Sequence, residues 1–220
     1  LAGGPDALIV VIPTADDRDA FPPDYLEKSF LAQAGARNLV LRHTRSREEA
    51  STEAFVEPLR RARAVWFPGG RQWRLVDSYL NTPVQKELEN LLARGGVIGG
   101  TSAGATIQGS FLVRGARSGN TIMVDPTYQT GFGYLRNTAV DQHLLVRKRE
   151  NDLTGVVESH PGLLGIGLDE STAIVVQGDH AEVIGASKVA IYEAGKPFYF
   201  LSPGDRFDLR ARRKENQPGN

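Results

Sequence analysis

The sequence predicts an α/β protein with a mainly parallel sheet flanked by helices and antiparallel strands added near the C-terminus. Apolar, β-rich runs alternate with amphipathic stretches over the first half of the chain. The joins between them are short, which is typical of a parallel sheet covered by helices. The second half carries short strands separated by turns, and these predict antiparallel additions at one edge of the sheet.

The first half contains four predicted strands and three predicted helical stretches. The strands are expected at residues 7–12, 38–41, 64–67 and 97–100. The first is a continuous apolar run that Pro13 stops, so it is expected to be buried on both faces. The helical stretches are expected at residues 23–35, 47–61 and 72–94. The last has a break near residues 81–83, where Thr82 can cap a new helix that starts at Pro83.

The second half predicts a series of short strands and then a charged tail. The strands are expected at residues 165–168, 172–176, 181–184 and 189–192. The tail, residues 206–220, is rich in charge and is expected to fray. No linker composition divides the chain, so residues 1–205 are predicted to form one domain.

Composition and charge exclude several classes of function. The 220 residues contain 26 Lys and Arg against 26 Asp and Glu, which argues against nucleic acid or an anionic membrane surface as the main partner. No run of 18 apolar residues occurs, so no membrane span is expected. The chain has no cysteine, which excludes a disulfide scaffold, a thiolate zinc site and a cysteine nucleophile. The compartment stays open, with the cytoplasm favoured.

The strongest chemical signal is a serine between small residues. The segment is Gly100-Thr101-Ser102-Ala103-Gly104, which fits the G-x-S-x-G nucleophile elbow and follows an apolar strand. A tight strand-to-helix turn would expose the Ser102 hydroxyl and leave the Ala103 N–H free to stabilise an oxyanion. The alternative is a small-residue turn with a capping serine.

A nucleophilic serine needs a base, and four histidines are available. His43, His160 and His180 lie in turns or after a strand and are expected to be exposed. His143 follows a short apolar strand, and strand ends in open α/β sheets are where sites assemble. Spacing alone leaves a purely structural role for His143 open.

Two carboxylates and a glycine turn complete the candidate constellation. Asp169 and Glu170 follow another short strand, and either could orient His143; the alternative is an ordinary acidic turn. Gly69-Gly70 turns the chain after Phe67 and could supply a second backbone donor, or could be a simple turn.

Four ordered motifs together carry a family resemblance. They are Phe67-Pro68-Gly69-Gly70-Arg71-Gln72, Gly100-Thr101-Ser102-Ala103-Gly104-Ala105, Asp141-Gln142-His143 with Arg147 and Arg149, and Gly167-Leu168-Asp169-Glu170-Ser171-Thr172-Ala173. The set resembles the cyanophycinase branch of the S51 serine peptidases, to which aspartyl dipeptidase is related. The resemblance runs from about residue 1 to about residue 193.

The resemblance implies a role for each matching residue. Ser102 would be the nucleophile, His143 the general base and Glu170 the orienting acid, with the N–H groups of Gly70 and Ala103 as the oxyanion hole. The residues implied to line the substrate site are Gln72, Asp141, Gln142, Arg147 and Arg149. The order Ser, His, Glu differs from that of α/β-hydrolases, which argues against a lipase or esterase.

The resemblance also implies the fold family, the reaction and the assembly. The expected fold is like that of class I glutamine amidotransferases, with no metal or organic cofactor and commonly as a homodimer. The expected activity is that of a serine exopeptidase or dipeptidase that cleaves small aspartyl or isoaspartyl peptides through an acyl-enzyme, with Arg147 or Arg149 pairing with a substrate carboxylate. The alternative is a binding or regulatory module that keeps the scaffold without catalysis.

Three departures from the family pattern bear on these expectations. Asp152 stands where the cyanophycinase pattern has an arginine, and Arg71 stands where it usually has an acid. If residues 147–158 form a helix, Arg149 and Asp152 are i,i+3 neighbours and can pair. Weak or no turnover of β-aspartyl-arginine, and better turnover of another aspartyl or isoaspartyl dipeptide, is therefore predicted. The alternative is that Asp152 faces solvent and has no effect. The glycine-rich strand that opens the family pattern is absent, which fits either a fragment or a sheet that lacks an element.

Overall fold

The structure, a computed structural model, describes residues 1–215. The strands are β1 (Ile9–Val11), β2 (Leu39–Leu41), β3 (Ala64–Phe67), β4 (Val97–Gly100), β5 (Gly109–Phe111), β6 (Leu135–Gln142), β7 (Leu164–Leu168), β8 (Thr172–Gln177), β9 (His180–Gly185), β10 (Val189–Tyr192), β11 (Tyr199–Leu201), β12 (Arg206–Asp208) and β13 (Arg213–Lys214). The helices are α1 (Phe30–Gln33), α2 (Arg47–Ala50), α3 (Glu53–Arg61), α4 (Gln72–Tyr79), α5 (Pro83–Ala93), α6 (Ala103–Thr106) and α7 (Asp152–Ser159).

The first sheet is parallel and has the strand order β2-β1-β3-β4. Val10 and Val65 lie opposite each other on β1 and β3 and point to one face, which the apolar sides of α3 to α6 cover. Val11 and Trp66 form the next pair and point to the other face. The predicted parallel sheet flanked by helices is confirmed.

Two further sheets contain the rest of the strands. The second has the order β11-β10-β7-β6-β5, in which β5, β6 and β7 are parallel while β10 and β11 are antiparallel additions. The third, β13-β12-β9-β8, is antiparallel throughout. The prediction of antiparallel strands near the C-terminus is confirmed. Their placement at a single sheet edge is wrong, because they divide between the second sheet and a separate third one.

The helical stretch predicted at residues 23–35 shrinks to the single turn of α1. Its start is delayed by Ser29, whose hydroxyl caps the helix by accepting the Ala32 N–H. Gly35, at φ 96°, follows the C-cap residue Ala34 and ends the helix. Residues 23–28 form turns instead, so their helical spacing is not enough to form a helix.

The two other helical stretches each divide in two. Ser46 caps α2 and Thr52 caps α3, so two helices replace the single one predicted at residues 47–61. The predicted break near residues 81–83 separates α4 from α5. Thr82 occupies the cap position of α5, but its hydroxyl donates to the Tyr79 carbonyl and does not cap the helix.

Removing the cap of α3 should have a measurable cost. Thr52→Ala deletes the oxygen that accepts the Phe55 N–H at 3.3 Å, so we expect the free energy of unfolding to fall by about 1 kcal/mol. Urea denaturation measures the change, with the exposed loop variant Thr121→Ala as the control. Equal stability of the two variants would show that the cap contributes nothing.

The tail predicted to fray from residue 206 is ordered over its first part. Strand β12 pairs with β9, and the Phe207 side chain between them and the second sheet is buried. One aromatic side chain within a charged stretch therefore anchors it. Residues 216–220 of the predicted tail lie outside the described residues, and the domain boundary at residue 205 stays a prediction.

Candidate active site

The candidate nucleophile lies where two neighbouring parallel strands end. Phe67 of β3 is in register with Gly100 of β4, so the turns that follow them meet at the same edge of the sheet. A Cβ atom built on Gly69 would lie 3.1 Å from the Cβ atom of Ser102. The close approach of the two turns therefore requires a small residue at position 69.

The backbone at Ser102 is strained. Its φ of 54° and ψ of −116° lie in a region that L residues rarely occupy, at a cost of roughly 1–3 kcal/mol. The surrounding glycines make the turn possible, since a Cβ atom on Gly104 would come within 1.9 Å of the Phe67 carbonyl oxygen. The predicted small residues thus have a steric reason, and α6 begins directly after the serine.

His143 and Glu170 reach Ser102 from the second sheet. They follow the ends of β6 and β7, where Gln142 and Leu168 are in parallel register. Ser102 Oγ lies 3.0 Å from His143 Nε2. His143 Nδ1 lies 2.8 Å from Glu170 Oε1, which places the three side chains in one hydrogen-bonded chain.

Asp169, the other candidate acid, faces away from the imidazole. Its buried carboxylate accepts the N–H groups of Leu145 and Val146 at 2.9 and 3.2 Å and the Ser187 hydroxyl at 2.5 Å. Burial opposes ionisation, but these hydrogen bonds outweigh it and lower the pKa of Asp169. Asp169 thus ties the turn after His143 to the end of β7.

Two backbone N–H groups beside Ser102 remain available. Neither Gly70 nor Ala103 donates its N–H to a protein acceptor within residues 1–215. Gly70 has a φ of 138°, and a Cβ atom there would lie 2.0 Å from the Ala15 carbonyl oxygen, so only glycine fits. The turn that carries the predicted oxyanion donor is therefore fixed against the loop after β1.

The residues predicted to line the substrate site occupy different environments. Arg147 is exposed, whereas Gln72, Gln142 and Arg149 are buried. Arg149 donates through Nη1 to the Gln142 carbonyl at 3.1 Å and has no carboxylate within ion-pair distance in the described part of the chain. Asp141 has no exposed surface, so the structure does not bring it to an open substrate site as predicted.

Arg114, which sequence reasoning missed, explains the position of Asp141. The residue is 1% exposed, and its guanidinium makes a two-point ion pair with Asp141, at 2.7 and 2.8 Å. The same group pairs with Asp152 at 2.6 Å. The only signal in the sequence was a single charge next to the apolar pair Leu112-Val113.

The predicted pairing of Arg149 with Asp152 is wrong. The helix α7 begins at Asp152, so Arg149 precedes it and the i,i+3 geometry of a helix does not apply. Asp152 faces Arg114 instead, and Arg149 keeps its hydrogen bond to Gln142.

The other histidines take no part in this constellation. His43 is half-buried beside Thr14, at 3.0 Å, and burial lowers its pKa. His160 is also half-buried, with its ring 4.6 Å from that of Phe111. Of the three predicted to be exposed, only His180 is; it pairs with Glu215.

Two features are absent from residues 1–215. These residues contain no cluster of three or more His, Asp or Glu side chains arranged to hold a metal ion. No helix among them is long and apolar enough to cross a membrane.

Comparison with known proteins identifies the class of this protein as a serine peptidase. The model of peptidase family S51 matches residues 1–184, most of the chain. The chain belongs to peptidase family S51.

Individual relatives agree with this assignment. A cyanophycinase from Geminocystis herdmanii is 34% identical over 197 residues, 87% of this chain and 71% of the relative. A cyanophycinase from a Nostoc species is 32% identical and covers 96% of this chain and 78% of its own length. The solved structure of a peptidase from an acI-B1 Actinobacterium superposes with a TM-score of 0.72 at 26% identity, over 91% of this chain and 83% of that one.

Proposed function

We propose that the protein is a serine exopeptidase or dipeptidase that hydrolyses small aspartyl or isoaspartyl peptides with Ser102, His143 and Glu170 as its catalytic triad. The observation that carries the proposal is the unbroken hydrogen-bonded chain from Ser102 Oγ through both ring nitrogens of His143 to Glu170 Oε1. A nucleophile, a base and an orienting acid in hydrogen-bond reach of each other are the requirements of acyl transfer through serine.

The proposed reaction proceeds in two halves. His143 Nε2 takes the Ser102 proton as Oγ attacks the amide carbonyl carbon, and the oxyanion forms beside the N–H groups of Gly70 and Ala103. The imidazolium then gives its proton to the leaving amine as the C–N bond breaks. Water attacks the resulting ester and loses a proton to His143. The imidazolium then returns this proton to Ser102 Oγ as the acyl–oxygen bond breaks and the acid leaves. Glu170 accepts the Nδ1–H throughout and so keeps Nε2 as the basic nitrogen.

The charges near His143 support an acidic substrate. Arg149 is a buried cation without a carboxylate partner in the described residues, and burial lowers its pKa. A buried charge of this kind is costly, so a substrate carboxylate that pairs with it gains a strong interaction. Arg147 lies at the surface nearby and supplies a second cation. The cyanophycinase names of the relatives agree with aspartyl chemistry.

Weak turnover of β-aspartyl-arginine is still expected, but for a different reason than an ion pair between Asp152 and Arg149. Asp152 does not occupy Arg149; its carboxylate is bound to Arg114. The arginine that the cyanophycinase pattern has at this position is still missing, so recognition that depends on it is lost.

Labelling and turnover test the proposed function together. We expect a fluorophosphonate probe to label wild-type protein and Ser159→Ala, a variant of an exposed serine, but not Ser102→Ala. A panel of α- and β-aspartyl dipeptides should be cleaved by the two labelled proteins only. Equal labelling of Ser102→Ala would contradict the nucleophile assignment, and a labelled protein that cleaves no aspartyl dipeptide would contradict the substrate class.

A further inference from the structure

A cavity of about 420 Å³ lies on the face of the first sheet that α3 to α6 leave uncovered. Val11 and Trp66, paired on adjacent strands, form part of its wall. Tyr25 and Phe30 close it from the segment between β1 and β2. Its size falls within the range of small-molecule sites in proteins.

The position of the cavity in the topology is that of a binding site. In the order β2-β1-β3-β4, the chain leaves β1 to one side for β2 and returns to the other side for β3. Ligands in open α/β sheets bind at such a switch point, in the crevice beyond the carboxyl ends of the strands. The cavity lies at that point, since Val11 is the last residue of β1 and Pro68 directly follows β3.

The cavity also adjoins the catalytic serine. Thr101 and Pro68 line it, and they directly precede Ser102 and Gly69 in the chain. The Gly69 and Ser102 turns approach closely, since a Cβ atom built on Gly69 would lie 3.1 Å from the Ser102 Cβ atom. The wall of the cavity therefore begins one residue away from the proposed nucleophile and its oxyanion turn. None of the five residues predicted to line the substrate site belongs to this wall.

The walls contain three aromatic rings, and their charged groups are paired. The rings of Phe30 and Trp66 meet edge to face with their centroids 4.9 Å apart, and Tyr25 adds a third ring. The charged lining groups have partners: Arg18 pairs with Asp16, and Lys28 pairs with Asp24. The cavity therefore suits an uncharged aromatic group and leaves no unpaired carboxylate in its wall for a guanidinium.

We propose that this cavity is the subsite for the substrate residue that follows the aspartyl group, and that it selects an aromatic side chain there. The inference rests on the proposed function. An aspartyl carboxylate is suited to the cations beside His143, whereas the aromatic walls remove an apolar ring from water. The preferred substrate class is thus an aspartyl or isoaspartyl dipeptide with an aromatic second residue.

Steady-state kinetics test the preference. We expect kcat/KM for β-aspartyl-phenylalanine to exceed that for β-aspartyl-alanine and β-aspartyl-arginine by about tenfold in the wild type. Phe30→Ala and Trp66→Leu should reduce this ratio to about threefold or less, through a higher KM for the phenylalanine peptide. Phe200→Ala, which removes an exposed aromatic ring from β11, should keep the wild-type ratio. Equal use of all three peptides, or a ratio that the cavity variants leave unchanged, would overturn the inference.

Fluorescence separates failure of the subsite from failure of the proposed function. The chain has two tryptophans, so a Ser102→Ala/Trp73→Phe protein reports only on Trp66. We expect β-aspartyl-phenylalanine, and not β-aspartyl-alanine, to shift its emission. A shift without turnover by the wild type would contradict the proposed function and support the cavity. Turnover with no shift and no aromatic preference would overturn the cavity and leave the proposed function standing.

Discussion

Replacing Glu170 with glutamine is expected to lower kcat by about 10⁴-fold. Glu170 Oε1 accepts a hydrogen bond from His143 Nδ1 over 2.8 Å, which leaves the other ring nitrogen free to accept the serine proton. A glutamine amide at the same place can donate its N–H to Nδ1, which favours the tautomer with the proton on Nε2. That tautomer cannot deprotonate Ser102, and the loss belongs to kcat because it affects the chemical step.

Asp169→Asn provides the matched comparison for this variant. Asparagine keeps a carbonyl oxygen for the N–H groups of Leu145 and Val146, so we expect kcat to fall less than tenfold. Steady-state rates on one aspartyl dipeptide measure both variants, with the exposed Glu27→Gln as a control that should retain the wild-type rate. If Asp169→Asn lost more activity than Glu170→Gln, the wrong carboxylate would have been assigned.

Arg114→Met is expected to lower the free energy of unfolding by roughly 3–5 kcal/mol. The change leaves the Asp141 carboxylate, which has no exposed surface, without its cation. An uncompensated buried charge costs about that much, a large share of the roughly 5–15 kcal/mol that stabilises an ordinary domain. Asp152 is partly exposed and can regain water, so most of the loss should come from Asp141.

Urea denaturation at neutral pH measures this loss against an exposed ion pair. Arg117→Met removes a surface pair with Asp77 and should cost less than about 1 kcal/mol. The double variant Arg114→Met/Asp141→Leu should recover much of the stability, since it removes both buried charges. A similar loss in Arg114→Met and Arg117→Met would show that burial adds nothing to the pair.

The parts of the fold that could be predicted are those whose signal is local. The apolar runs of β1 to β4 and the breaks at Pro13 and Pro83 are visible in short stretches of sequence, and the strands follow them closely. The stretch around Tyr25 has helical spacing but forms turns, because the Ser29 cap and packing against the sheet decide its conformation. Phe207 orders part of a charged tail through a partner strand that is distant in sequence.

The residues of the candidate site also differ in whether their signal in the sequence is local. Ser102 could be singled out because its turn demands small residues close by in the chain. The approach of His143 to Glu170, 27 residues later, depends on β6 and β7 being neighbours, which spacing does not reveal and the family resemblance implied. Arg114 was missed because its importance comes from two acids that reach it only in the folded chain.

The three residues of the proposed triad belong to two separate sheets. Ser102 follows a strand of the first sheet, while His143 and Glu170 follow strands of the second. Within residues 1–215 no pair of hydrogen-bonded strands joins these two sheets. The 3.0 Å between Ser102 Oγ and His143 Nε2 therefore depends on how the two layers pack together, and α6 lies against β6 at this boundary. A small displacement of the first sheet relative to the second would separate the Ser102 hydroxyl from the His143 imidazole, although the strands within each sheet stayed paired. Hydrolytic activity should therefore respond to a change in the packing between the two sheets that leaves the secondary structure unaltered.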